Sequence, residues 1–213
     1  MSDIPARLAE LGASLFGRRL THGRTGNISA RVDGGFLVTP TGGSLGEISA
    51  GHLSLVDLAG GHLAGPRPSK EAFLHAALYR ARPDAGAVVH LHSTYSVAVS
   101  CLDGLDPADA LPPLTAYYVM RVGRLPLLPY HAPGDSALGP LAERAARTAH
   151  ALLLANHGPI VAGPDLAGAA DIAEELEETA RLWLLLHDRP TRPLTADQAA
   201  ELRIRHRSER NTT

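Results

Sequence analysis

The run AVVHLHS places two histidines, His90 and His92, one residue apart. The residues from Gly86 to Leu91 are small and β-branched enough to predict a buried strand. On a strand alternate side chains share a face, so His90 and His92 project together while Leu91 turns away. Two imidazoles so placed can reach one ion. A second apolar run, ALLLANHG, ends in a third candidate, His157, just before a Gly-Pro pair read as a turn. Three neutral imidazoles around Zn²⁺ leave at least one coordination position for water or substrate, as a catalytic site requires. The competing reading is plainer: the chain has 11 histidines, and a strand end is a common place for a half-exposed polar residue. His131 reads as structural rather than as a fourth ligand.

Three further segments put polar groups where the chain turns. GRTGNIS sets Gly26 and Asn27 at a turn where a bare N–H and an amide can meet an anion. TPTGG does the same with Thr41 and Gly42, and PSKE sets Ser69, Lys70 and Glu71 at a helix start, where free N–H groups favour phosphate. Each alone is also an ordinary turn or cap. Lys70 is the only lysine among 20 basic residues, which points to a position wanting a compact ammonium rather than a planar guanidinium. Glu71 has two outlets, a helix-dipole partner on the surface or a general base facing the metal.

Around these residues the elements follow from periodicity. Leu8, Leu11 and Leu15 keep helical spacing between Ile4 and Leu20, with Asp3 as N-cap and Pro5 in the first turn. GNISARV and GFLVTP alternate as a hairpin about Asp33-Gly34, and LSLVDL with GGHLAG reads as a further hairpin or an edge pair. PSKEAFLHAALYRAR reads as a helix capped by Ser69, STYSVAVSC as a helix, LPLLPY as a strand, and DSALGPLAERAARTA as a helix. ALLLANHG and GPIVAG are two strands about a tight turn; a long helix capped by Asp165 and a short one from Thr195 follow. Alternating strands and helices with early hairpins predict an α/β layered fold on a mixed sheet, and residues 1–213 read as one domain.

Composition excludes several classes. With 20 basic and 22 acidic residues and a net charge of −2, the chain has no electrostatic footprint for nucleic acid or membrane. The arginine-rich tail from Arg203 to Arg210 is the local exception and reads as solvating a terminal helix. One cysteine, Cys101, excludes an internal disulfide. With no signal peptide and no apolar run long enough to span a bilayer, the expected location is the cytoplasm.

Taken in order, GNIS, TPTG, SKE, HLH and NHG resemble the class II aldolase/adducin family, over a stretch from about Ala9 to the long C-terminal helix. The resemblance implies a three-layer α/β/α fold with a central mixed, largely antiparallel sheet. It implies one Zn²⁺ per subunit on His90, His92 and His157, with Glu71 as acid/base and, in the empty enzyme, a further metal contact. Mn²⁺ or Co²⁺ would suit the same imidazoles. Phosphate falls to Gly26, Asn27, Thr41, Gly42, Ser69 and Lys70. Tyr117 and Tyr118 alone read as packing residues; in the family a tyrosine near Tyr118 reaches a neighbouring active site. That implies a catalytic role for Tyr118 and a cyclic homotetramer with sites at subunit interfaces.

Two departures narrow the branch. The family's sugar-phosphate aldolases usually carry Ser where Lys70 stands and use a tyrosine near the C-terminus, whereas the last tyrosine here is Tyr130. VVHLHSTYSVA, LPPLTAYYVMRVGRLPLLPYHAPGD and AEELEETARL are more similar to the 3-oxo-tetronate 4-phosphate decarboxylases. The expected activity is then loss of CO₂ from a phosphorylated sugar acid to give dihydroxyacetone phosphate through a metal-stabilised enediolate. A fuculose-phosphate-type aldolase or a ribulose-5-phosphate 4-epimerase is the alternative within the fold, and a non-catalytic adducin-like interaction domain the alternative outside enzymes.

Overall fold

A computed structural model describes residues 3–210, with side chains to residue 205. Helix α1 (Ile4–Gly17) starts where the Asp3 carboxylate accepts the Ala6 N–H, with Pro5 in the first turn, and it buries Leu8, Gly12 and Leu15. The hairpin β1 (Asn27–Val32) and β2 (Gly35–Val38) turns at Asp33-Gly34, where Gly34 takes the left-handed conformation. Strands β3 (Ser54–Val56) and β4 (His62–Ala64) extend it. Then come α2 (Ala72–Ala81), β5 (Ala87–His90), α3 (Thr94–Ser100), α4 (Ala116–Arg121), β6 (Leu127–Leu128) and α5 (Leu138–Ala146). β7 (Ala151–Leu154), β8 (Gly158–Gly163), α6 (Leu166–Leu185) and α7 (Ala196–Arg210) complete the order.

The strands form one sheet in the order β4-β3-β2-β1-β5-β8-β7-β6. Every pairing is antiparallel except β6 with β7. One face packs Ile28, Val89, Leu153 and Val161 under α1, α3, α4 and α6. The other packs Phe36, Val88, Leu152 and Ile160 under α2 and α5. This is the three-layer α/β/α arrangement with a central mixed, largely antiparallel sheet. Strand β5 lies at its middle and is buried on both faces, which is why its sequence is continuously apolar rather than alternating.

Several local expectations change. Helix α2 begins at Ala72, not at Ser69, and Glu71 occupies the N-cap position with no side-chain cap. Ser69 is held in the preceding turn, its N–H donating to the Thr39 carbonyl and its hydroxyl accepting the Glu71 N–H. Strand β6 shrinks to two residues because Pro126 and Pro129 flank it and cannot donate to a ladder. Gly158-Pro159 opens β8 rather than forming the turn, which lies at Ala155–His157. The tyrosine pair sits on a short helix, α4, capped by the Thr115 hydroxyl accepting the Tyr118 N–H. Helix α7 takes in the arginine-rich tail, with Arg203 and Arg205 exposed; the side chains of residues 206–210 lie outside the described residues. Among the described residues no helix is long and apolar enough to cross a membrane.

Candidate metal centre

Strand β5 ends at His90 in the middle of the sheet, with Asn27 of β1 and Ile160 of β8 as lateral neighbours. The His90 side chain is fully buried, and its Nδ1 lies 2.8 Å from the Pro159 carbonyl oxygen. A carbonyl only accepts, so Nδ1 carries a hydrogen and Nε2 is the nitrogen left for a cation or a second proton. Past His92 the chain is pinned from two sides. The Ser93 hydroxyl donates to the Leu20 carbonyl, and the buried Glu177 carboxylate of α6 accepts the Tyr95 N–H, the Ser96 N–H and the Ser96 hydroxyl at the start of α3.

His157 stands in the β7–β8 turn. Asn156 before it takes φ of 55°, a left-handed conformation that asparagine tolerates. Gly158 after it has φ of 147°, and a Cβ there would lie 2.5 Å from the Leu91 carbonyl oxygen. Only glycine lets the start of β8 run so close to the HLH segment.

These constraints converge three imidazole Nε2 atoms. His90 and His92 are 3.2 Å apart, His90 and His157 3.3 Å, and His92 and His157 3.1 Å. Glu71 completes the cluster, with Oε2 3.2 Å from His90 Nε2 and Oε1 3.1 Å from His157 Nε2. The four ligand atoms lie within 4.8 Å of one another. Imidazole nitrogens bound to tetrahedral zinc at about 2.0–2.1 Å stand roughly 3.3 Å from each other. The observed spacing therefore fits a divalent ion with little adjustment, and three facing lone-pair nitrogens beside a carboxylate call for positive charge.

The electrostatics agree. Burial would raise the Glu71 carboxyl, but the His90 charge and the hydrogen bonds of His157 and His90 outweigh it and hold the group well below its ordinary range. Burial opposes a charged His90, yet Glu71 overrides that and raises it. His92 is pushed down to about 3 by burial and by the charges of His90 and His157. The same contacts favour an anionic carboxylate and a protonated His90, and a cation at the three Nε2 atoms would compete with that proton.

The turns expected to take phosphate gather next to Glu71. An isolated bridge joins Pro40 to Pro68, the Thr41 N–H donates to the Arg67 carbonyl, and the Ile28 N–H donates to the Thr39 hydroxyl. Thr41, Gly42, Ser69 and the exposed Lys70 thus share one end of the sheet with Gly26. A Cβ on Gly26 would lie 2.9 Å from the His90 carbonyl oxygen, so its turn is held against the histidine cluster.

Asn27 differs from the other phosphate candidates. Its amide meets an anion within the chain itself, Glu71: Nδ2 donates to Oε2 at 3.0 Å, and the residue is 5% exposed. Tyr118 is a correction. It is 1% exposed, its hydroxyl turned to the Leu111 carbonyl at 3.5 Å, and burial raises its pKa. A phenol locked in the core cannot enter a neighbour's site; the outward tyrosine of the pair is Tyr117, 59% exposed.

A cavity of about 470 Å³ opens on the histidine cluster, lined by His92, His157, His22, Thr94, Tyr130 and His131 among others. His131 stays outside the ligand group, as expected, with Nδ1 2.8 Å from an Asp135 carboxylate oxygen. Its place in the cavity wall, and those of His22 and Tyr130, are not marked in the sequence, because their loops carry no periodicity that ties them to the histidines. His75 belongs to none of the motifs read from the sequence. Its signal was present: Glu71, His75 and Tyr79 are spaced by four and share a helix face.

Residues 6–184 match the family described as Class II Aldolase and Adducin N-terminal domain. A 3-oxo-tetronate 4-phosphate decarboxylase from Pectobacterium atrosepticum is 52% identical, covering 92% of this chain and 91% of the relative. An L-fuculose phosphate aldolase from Escherichia coli is 36% identical, covering 78% and 75%. The crystal structure of YgbL from Klebsiella pneumoniae superposes with a TM-score of 0.92 at 47% identity, covering 95% of this chain and all of that one.

Proposed function

From the premise that the chain belongs to the class II aldolase/adducin family, we propose that it converts a 3-oxo-tetronate 4-phosphate to dihydroxyacetone phosphate and CO₂. The enzyme is a carbon–carbon lyase of the carboxy-lyase kind, like its curated relatives. The observation that carries the choice of reaction is the 52% identity, over nearly the whole of both chains, to a protein named for it. The relative named as an aldolase is more distant, at 36%.

The substrate is a β-keto acid, so the electron pair left by CO₂ passes into the neighbouring carbonyl as an enediolate. Zn²⁺ held by His90, His92 and His157, with Glu71 as a fourth ligand before substrate arrives, would supply Lewis acidity toward that carbonyl and its developing charge. The remaining tasks fall to the chain. Glu71 is the proton donor to C2. Burial favours its protonated acid, and the His90 and His157 contacts outweigh burial and keep it anionic, so its proton affinity is set by what those contacts are. Thr41, Gly42, Ser69, Lys70 and the Gly26 backbone take the 4-phosphate. Binding energy from that remote end orients the reacting carbon. The decarboxylase makes no aldehyde product, which accords with the lack of a tyrosine beyond Tyr130.

We propose further that the enzyme is cytoplasmic and works as a homotetramer with shared sites. Within such an assembly Tyr117, rather than Tyr118, is the tyrosine free to reach a neighbouring copy. The test is direct incubation of zinc-loaded protein with 3-oxo-tetronate 4-phosphates of both configurations. Release of CO₂ and dihydroxyacetone phosphate in equal amounts, abolished by a chelator and restored by Zn²⁺, is the expected result. Aldehyde release from fuculose 1-phosphate with no CO₂ from any tetronate would reject it in favour of an aldolase.

A further inference from the structure

Strand β1 carries Asn27 and Ser29 on one face at a spacing of two, and the helix face that follows Glu71 carries His75 and Tyr79 at a spacing of four. The two faces meet in the interior, where Ser29, His75 and Tyr79 are each 1% exposed or less. Together they form an unbroken chain of contacts. Glu71 Oε2 is 3.0 Å from Asn27 Nδ2, Asn27 Oδ1 is 2.5 Å from His75 Nε2, His75 Nδ1 is 2.7 Å from Ser29 Oγ, and Ser29 Oγ is 2.9 Å from Tyr79 Oη.

Chemistry fixes the sense of each bond. An anionic carboxylate only accepts, so the amide must turn its NH₂ to Glu71 and its oxygen to His75. That oxygen only accepts, so His75 Nε2 carries a hydrogen. Burial first, and then the nearby His90 charge, push His75 down to about 3, so the ring is neutral and has one hydrogen only. His75 Nδ1 is then an acceptor for the Ser29 hydroxyl, which in turn accepts from Tyr79. Every donor in the series points toward Glu71.

Among the described residues three side chains touch the Glu71 carboxylate: His90, His157 and Asn27. The first two are those a cation would engage. Asn27 is the contact left to hold the carboxylate, and half a turn of its amide would set oxygen against oxygen. We propose that His75 is a positioning residue, which locks the Asn27 amide and through it fixes the orientation of Glu71 for proton transfer. This rests on the reading of Glu71 as the proton donor.

Two substitutions separate positioning from packing. His75→Gln carries an NH₂ where the ring has Nε2 and keeps the donation to Asn27; His75→Asn reaches only the position of Nδ1. Both are polar and smaller than the ring, so a packing role predicts similar losses. Positioning predicts that His75→Gln retains most of kcat, whereas His75→Asn loses roughly tenfold to a hundredfold, the scale seen when an outer hydrogen-bond partner is removed. KM and bound metal should stay unchanged in both. Imidazole ¹H–¹⁵N correlation spectra of the wild-type protein, with metal removed, supply the second readout: His75 is expected as the neutral Nε2–H tautomer. Equal kcat in the two variants, or an Nδ1–H or doubly protonated His75, would overturn the proposal. Failure of the decarboxylase reading has a different signature, absence of CO₂ release by the wild type, and leaves the spectroscopic arm intact.

Discussion

His75 and His90 lie close together and titrate in opposite directions, because one is buried against neutral partners and the other faces a carboxylate. Burial pushes His75 down to about 3. Between pH 6.5 and that value the unfolded chain binds a proton that the folded chain does not, so stability falls with falling pH. The slope is about 1.4 kcal/mol per pH unit for one such group. His92, also brought down to about 3, acts in the same direction but is less buried. His90 works the other way: raised by Glu71, it contributes stability that is present below pH 6.5 and is lost as pH rises through its folded value. Metal-free protein is therefore expected to be most stable near neutrality, as measured by urea unfolding midpoints between pH 4 and 9. His75→Gln should flatten the acid limb; an acid limb of unchanged steepness in that variant would show that His75 does not carry it. His90 and His92 were legible in the sequence through their HLH spacing, whereas His75 was not. The protonation of none of the three was legible, since it depends on which groups the fold sets within 3–4 Å.

Among the elements, the β7–β8 connection does the most for the site, because it must deliver His157 while letting β8 pair with β5. Gly158 makes that possible at φ of 147°, where a Cβ would strike the Leu91 carbonyl. Gly158→Ala should cost roughly 1–3 kcal/mol through backbone strain and the close approach. It should also move His157 enough to lower metal content. Chemical denaturation and metal analysis check both effects together, and a variant with full stability and one ion per chain would show that the turn is less constrained than argued. Helix starts were harder to read. Ser69 has the residue type of a cap, but a hydrogen bond to Thr39, distant in sequence, holds it in the turn before α2. The β3–β4 pair, shortened to three residues a strand, and the Asp165 cap of α6 are local features that the sequence marks.

For the molecule as a whole, the tyrosine pair on α4 sorts by burial. Tyr118 faces the core, and Tyr117 faces outward with the Arg121 guanidinium 5.7 Å from its ring centre, beside the Arg121–Asp171 and Arg18–Glu174 ion pairs. If the chain assembles as the proposed homotetramer, Tyr117→Ala should lower kcat or loosen the assembly. Tyr118→Phe, losing a long hydrogen bond, should cost about 1 kcal/mol of stability and leave activity in place. Light scattering and turnover on the same samples decide it, and a tetramer with full activity in Tyr117→Ala would remove that residue from the shared site. Adjacent tyrosines in a sequence give no sign of which one is buried; the phase of a six-residue helix against α6 and α7 chooses.

What the sequence determined by itself is whatever rests on local rules and residue chemistry: the hairpins, the long helix, the buried central strand, the three imidazoles and the carboxylate suited to a divalent ion, and the order of motifs that marks the family. What only the tertiary structure decided is which groups meet across the chain. Asn27 looked like a phosphate ligand because its turn suits an anion, yet packing α2 against β1 brings the Glu71 carboxylate and His75 to its two ends. The amide binds the nearest partners the fold provides, because a buried polar group left unpaired is costly. That pairing depends on contacts between residues more than 40 positions apart, which no local pattern encodes.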